Sequence, residues 1–364
     1  MEIIILVVVI IAIILFKVNN VRVVWWEYLL LFGGSIVLYL FIRFICISII
    51  TSDTEYWGGY ITKTTYYEPW NEEVEVTRTR VGSDGEEETY TTTETEYHSE
   101  KYTYNTNLRG SSEIPCTRNR HEEIKRLFGT YPKFKDMHRD YHTEDGDAYE
   151  YYWNGSDATM YTITEKHLYK NPMKGSGSIF KLQGDDDDGL YDYPEIVRDD
   201  QRTILGIKKT LSDQRLRVLN SKLGKDYQIR IFLLVFPDKY GIDKAIDQRN
   251  YWEGGNKNEL VVCIGVKNDS VTWCYPFSWC DNTTVEAKVK SWYIENPKFD
   301  IVSFCDFLEP VIKKYWVRKK FSDFNYITTE LLGYHNLILF SLVLVWIILV
   351  SYWIYTDKLK NLNR

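Results

Sequence analysis

The sequence predicts a membrane-anchored α+β protein: three transmembrane helices, an antiparallel β-rich domain and, after it, an α/β sandwich. Three observations lead there. Long stretches near both termini carry almost no charge, residues 56–180 alternate with a period of two, and from Tyr193 onward the apolar spacing becomes helical. Charged residues make up 26% of the 364, but they are crowded into the middle of the chain. That segregation excludes a wholly soluble protein, and the short apolar share excludes a transporter-like bundle. Aromatic residues at 16% argue against disorder. A net charge of −7 with no basic face argues against nucleic acid as a partner.

The apolar runs come first. Residues 3–16 are unbroken but only ~21 Å long as a helix, short of a ~30 Å hydrocarbon core. Glu2 stands where a signal peptide needs a basic residue, and no small-residue cleavage site follows Phe16, so a retained helix is expected. Residues 23–50 allow a tilted span, with Trp25, Trp26 and Tyr28 suited to one interface and Glu27 and Arg43 near its ends. Residues 337–355, within a span assigned to 335–356, end in Tyr352, Trp353 and Tyr355. Three spans put residues 51–336 on the side of the N-terminus. The loop with Lys17 and Arg22 and the tail with Lys358, Lys360 and Arg364 fall on the other side. The positive-inside rule then places the large region outside the cytoplasm, with Lys319 and Lys320 pulling the opposite way.

Within residues 51–182, the alternation of Thr, Tyr, Val and Glu reads as strands. Residues 73–81 and 86–97 flank Gly82-Ser-Asp-Gly85 as a long hairpin with at least one wet face. A short helix at 121–128 stops at Gly129, and strands resume at 148–153 and 159–169. Residues 193–325 form the second domain. Leu216, Leu219 and Leu223 share a helical face, with Gly224 expected as the stop. A buried strand over 228–236 follows, then a helix at 242–252, strands at 259–266 and 271–274, and helices at 285–293 and 301–316.

One stretch resembles a known family. Leu211-Ser212, the strand Gln228-Ile-Arg-Ile231, the helix ending at Trp252 and the string Gly255-Asn-Lys-Asn-Glu-Leu-Val-Val262 are similar to the TPM domain of membrane-tethered bacterial and chloroplast proteins. The acidic residue that opens the next helix in that family is matched by Asp281. The chain departs from the family where Cys274-Tyr-Pro-Phe-Ser278 replaces a glycine-rich stretch, and no second acidic residue adjoins Asp281. The strings Tyr56-Trp-Gly-Gly-Tyr60, Leu190-Tyr-Asp-Tyr-Pro194 and residues 251–258 also resemble membrane proteins of tailed phages and their hosts, which implies no activity. The TPM resemblance implies an α/β sandwich whose edge loops can hold a divalent cation, Ca²⁺ or Mg²⁺, in some members as acid phosphatases. Here Asp281 with Asn258 would be the ligands. Against this stands Asp281 as a plain helix cap, the preferred reading, because one carboxylate seldom holds a catalytic metal. Asp238, Asp243 and Asp247 are weaker additions.

Other chemistry is thin. The acidic run Asp185–Asp188 lacks the alternating ligand spacing of a calcium loop and reads as solvated. His138 and His142 stand four apart with no third ligand. Cys116, Cys263, Cys274, Cys280 and Cys305 show no zinc spacing; Cys263 reads as core filler, and Cys274 and Cys280 as either a disulfide or free thiols. Nucleophile-elbow, phosphate-loop and dinucleotide motifs are absent. No catalytic residue emerges. The expected function is membrane-tethered binding or scaffolding, with the bilayer and a protein as partners. The alternatives are a divalent-metal phosphohydrolase at Asp281 and a structural membrane protein of a virus or phage.

Overall fold

The computed structural model describes residues 2–19, 21–81, 87–137, 146–172, 189–197, 200–208, 211–320, 323, 331 and 333–362. His138, His142, the acidic run at 185–188 and the hairpin turn at 82–85 lie outside them. Two helices open the chain, α1 (Glu2–Val18) and α2 (Trp25–Ile50). Next come β1 (Ser52–Tyr67), β2 (Trp70–Val81), β3 (Glu87–His98), β4 (Lys101–Thr106) and β5 (Ile114–Pro115). After α3 (Arg118–Phe128) stand β6 (Lys133–Lys135), β7 (Ala148–Tyr152) and β8 (Thr162–Lys170). Three two-residue strands, β9 (Ile196–Val197), β10 (Asp200–Gln201) and β11 (Ile204–Leu205), lead to α4 (Leu211–Tyr227) and β12 (Arg230–Pro237). The remainder is α5 (Ile242–Tyr251), β13 (Glu259–Lys267), β14 (Ser270–Ser278), α6 (Thr284–Glu295), α7 (Ile301–Tyr315) and α8 (Gly333–Leu362). The fold is therefore mixed α+β, with antiparallel sheets, one mixed sheet and two helices long and apolar enough to cross a membrane, Trp25–Ile50 and Gly333–Asp357. The apolar stretch in α1, Leu6–Val18, is shorter.

One compact unit comprises Met1–Thr54, Leu168–Lys181 and Lys319–Arg364. In it α8 presents Leu339, Val343, Ile347, Val350 and Ile354 along one face, at helical spacing, to Leu31, Ile42 and Cys46 of α2 and to Val9 and Phe16 of α1. Trp26 meets Trp353 with ring centroids 5.7 Å apart, and Gly34 meets Trp346. These two contacts make α2 and α8 antiparallel. A Cβ on Gly34 would stand 2.8 Å from the Trp346 ring, so the small residue permits the approach. Glu27, near the start of α2, is buried because its Oε2 accepts the Val24 backbone N–H at 2.6 Å, an orphan donor of the helix end. The charge that looked out of place in the apolar run is a local cap.

The second unit, Glu55–His167 with Leu182–Arg318, holds two larger sheets. The first runs β5-β4-β1-β7-β6, antiparallel, with β8 also paired to β1. The helix α3 packs Ile124 and Phe128 onto Ile61, Tyr104, Tyr151 and Ile163. Thr117 Oγ1 accepts the Arg120 N–H at its start, and Gly129 with φ of 102° ends it, as the sequence indicates. The second sheet has the order β11-β12-β13-β14, parallel except for β14. Its helices α4, α6 and α7 cover one face, and α5 with Tyr191 and Tyr193 covers the other. Burial on both faces explains the unbroken apolar run of β12. β2 and β3 pair only with each other among the described residues, in register from Trp70↔His98 to Val81↔Glu87.

One expectation fails for an instructive reason. Gly224 does not stop its helix; α4 continues to Tyr227. The glycine is there because a methyl group on it would overlap the Gly58 carbonyl of β1, while a Cβ on Gly58 would stand 2.5 Å from the Asn220 carbonyl oxygen. Strand and helix touch backbone to backbone. Gly224→Ala should therefore destabilise the full chain by about 1–3 kcal/mol through overpacking, seen as a lowered melting temperature. Lys225→Ala, at the exposed neighbour, should stay within about 0.5 kcal/mol.

Candidate functional site

The pairing of Leu260 with Ser278 sets Asn258, just before β13, and Asp281, just after β14, at one edge of the second sheet. Their surroundings differ. Asn258 is fully buried; its Nδ2 donates to the Tyr56 carbonyl at 3.0 Å and its backbone carbonyl accepts the Arg230 N–H at 2.8 Å. Its Oδ1 has no hydrogen-bond partner among the described residues. Asp281 is exposed, with its backbone N–H donated to the Val317 carbonyl at 2.9 Å. Nor does Asp281 cap the helix that follows. The N-cap position is Thr283, which makes no side-chain bond, and Asn282 just before it accepts the Thr284 N–H on its Oδ1 at 3.0 Å. Among the described residues no three His, Cys, Asp or Glu side chains are grouped for a metal. Asp238 is paired with Lys267 at 2.7 Å. Hard cations take six or more oxygens, and this edge offers one exposed carboxylate beside a carboxamide whose amide is already committed.

What the edge does contain is a buried carboxylate. Glu259 opens β13 at 1% exposure and accepts from the Tyr193 hydroxyl, from the Asn256 N–H at 2.8 Å and from Asn256 Nδ2 at 3.0 Å. Burial pushes its carboxyl above the usual range, opposed by those donors and by the Arg230 guanidinium. Arg230, itself buried, donates to Thr164 Oγ1 at 3.0 Å. Nearby in the unit, the buried Glu55 forms an ion pair with the half-buried Arg318, and Trp57 donates to Glu55 Oε1 at 3.0 Å while stacking on His167. The one trace of the Glu259 network in the sequence is a charged residue at the head of an otherwise apolar strand. All six cysteines are free, Cys274 and Cys280 included, and Cys280 Sγ accepts the Val317 N–H.

A second surface is the β2–β3 ribbon. Its odd-numbered residues share one face by strand alternation, and that face is exposed. Thr77 stands opposite Thr91 and Thr79 opposite Thr89, while Glu73 and Glu75 oppose Thr95 and Thr93. The opposite face, with Trp70, Val74, Val76, Thr92 and His98, is half-buried. Seven glutamates against two arginines give the ribbon a formal charge of −5. No protein-family model, curated protein or solved structure matches the chain.

Two predictions follow from the sheet edge. Asn282→Ala should cost about 1 kcal/mol by removing a helix-start acceptor, whereas Asp281→Ala should be nearly neutral, measured by denaturation with and without Ca²⁺ or Mg²⁺. Because the folded pKa of Glu259 lies above its unfolded value near ~4.3, the folded state binds more protons than the unfolded between those two values. Stability contributed by the protonated form is present below the unfolded pKa and is lost as pH rises through the folded one. Glu259→Gln should flatten that fall, read as melting temperature against pH.

Proposed function

We propose that the chain is a membrane-tethered binding protein whose large unit engages a basic protein partner through the β2–β3 ribbon. The observation that carries this reading is the ribbon itself. A lone two-stranded sheet is marginal in water, and this one exposes an entire face of threonine and glutamate with no third strand among the described residues. Its excess of carboxylates favours a cationic surface over an anionic or apolar one.

Tethering rests on α2 and α8, with α1 as a third, shorter span held against α8 through Val9 and Phe16. The Trp26–Trp353 contact brings two aromatic belts to one end of the helix pair. Lys17 in the last turn of α1, Arg22 in the α1–α2 connection, and Lys358 and Lys360 at the end of α8 belong to that same end, which supports an extracytoplasmic large unit. The segment from α4 to α7, which resembles the TPM domain in sequence, is read here as a binding module.

The test uses the full chain in liposomes of neutral lipid. The protein should float with the vesicles after an alkaline carbonate wash and carry a fluorescent decalysine peptide with it. Binding should fall steeply with salt and weaken at least tenfold, about 1.4 kcal/mol, in the variant Glu73→Gln, Glu75→Gln, Glu87→Gln. Release by carbonate would end the tethering; equal peptide binding by the triple variant would end the ribbon's part in it.

A further inference from the structure

The first sheet of the large unit carries a feature that the ribbon does not use. Tyr66 of β1 stands in register with Tyr102 of β4 on one side and with Tyr149 of β7 on the other, and Phe134 of β6 stands opposite Tyr149. The strand order β4-β1-β7-β6 therefore sets four aromatic rings in one line across four neighbouring strands. Their centroids are spaced 5.1, 6.0 and 5.4 Å. None of the four is buried, and Phe134 is 55% exposed. Such a strip is costly to leave against water, and tyrosine suits a surface that is apolar in body and polar at its tip.

The three tyrosines, with Tyr151, line a cleft of about 340 Å³ beside the N-terminal half of α3. That size is in the range of small-ligand sites. The rim is polar and of both signs. Glu68 and Glu100 adjoin the rings; Arg118, Glu122 and Lys125 come from α3, the last two paired at 3.3 Å. The Tyr102 hydroxyl donates to Glu100 Oε2 at 2.9 Å, and Tyr149 hydrogen-bonds Glu68, so two of the rings are held in place before anything binds. Burial and the Glu100 bond push the Tyr102 phenol up to about 12, keeping it a neutral donor. On the inner wall His121, buried and bonded to Thr64 Oγ1 at 2.9 Å, is held neutral by desolvation.

The charge pattern selects among ligands. A cation would meet Arg118 and the Lys125 ammonium, which already sits 5.2 Å over the Tyr151 ring. An anion would meet Glu68 and Glu100. A neutral polyol suffers neither, stacks its C–H surface on the aromatic strip, and uses carboxylate acceptors and guanidinium or ammonium donors for its hydroxyls. We infer that this tyrosine-lined cleft is a binding site for a neutral oligosaccharide chain laid along the aromatic row, separate from the ribbon's partner.

The full chain in lipid nanodiscs, titrated with maltohexaose, cellohexaose and chitohexaose, tests this by calorimetry and by saturation-transfer NMR. At least one should bind, with affinity unchanged between low and high salt. Tyr66→Ala and Tyr102→Ala should each weaken it about tenfold, while Tyr131→Ala, at a 95% exposed residue outside the row, should not. Tyr102→Phe, which keeps the ring, should retain most of the binding and separates ring loss from misfolding. No binding by any of the three sugars, binding indifferent to both alanine variants, or preferential binding of tetramethylammonium at the same tyrosines would overturn the assignment.

Discussion

Gly58 and Gly224 allow a strand of one sheet and a helix of the other to meet without side chains between them, and much of the large unit is arranged around that meeting. β1 brings Glu55 to Arg318, the Tyr56 carbonyl to Asn258 and Gly58 to the α4 backbone within four residues. On the helix side, Asn220 turns its carboxamide the other way, donating to the Ile231 carbonyl at 3.0 Å and accepting the Ile231 N–H at 2.7 Å. The helix is thus tied to β12 and to β1 at once. The seam consists of backbone contact and buried polar groups. It therefore specifies position more sharply than an apolar patch would, because each misplaced donor or charge costs ~1–3 kcal/mol or more.

That seam gives Asn258, at the head of an apolar strand, a structural part of its own, and Glu259 beside it is held by the Asn256 backbone. Polar residues directly before an apolar strand invite a functional reading, and the same residues serve equally well to hold a strand end against a neighbour. Asn258 binds a carbonyl 202 positions earlier in the chain, a pairing that no local pattern announces. Gly224 was misleading for a related reason. A glycine after a leucine-spaced helix reads as a stop, and only the approaching strand reveals it as a point of contact. Where the determinants are local, the sequence was legible. The β12 run, the leucine face of α4, the Gly129 stop and the alternation of β2 and β3 all depend on neighbours within a turn or two. The tyrosine row was not legible, since Tyr66, Tyr102 and Tyr149 become neighbours only through the strand order.

The helical unit, with its two helices long and apolar enough to cross a membrane, repeats the logic with other means. Between helices in lipid there is little hydrophobic drive, so association depends on close fit. Gly34 against Trp346, and the α8 stripe from Leu339 to Ile354, supply that fit. The aromatic ends were readable because belts at an interface are a compositional signal, whereas the burial of Glu27 required knowing that the helix begins beside it.

These two kinds of contact divide the molecule's polar groups into those already spent and those still available. Glu55, Arg230, Asn258 and Glu259 are buried, each with hydrogen bonds to other residues of the unit. On the proposed reading, binding energy for an outside partner comes from the ribbon's exposed carboxylates, which act at a distance and weaken in salt, and from the tyrosine row, which acts only in contact and does not. Glu100 follows the ribbon and holds Tyr102 in the row, so the ribbon's end and the aromatic strip are separated by only the start of β4. A ligand in the cleft would thereby order the chain where the ribbon departs, at a point where the residues on both sides are already fixed by the sheet.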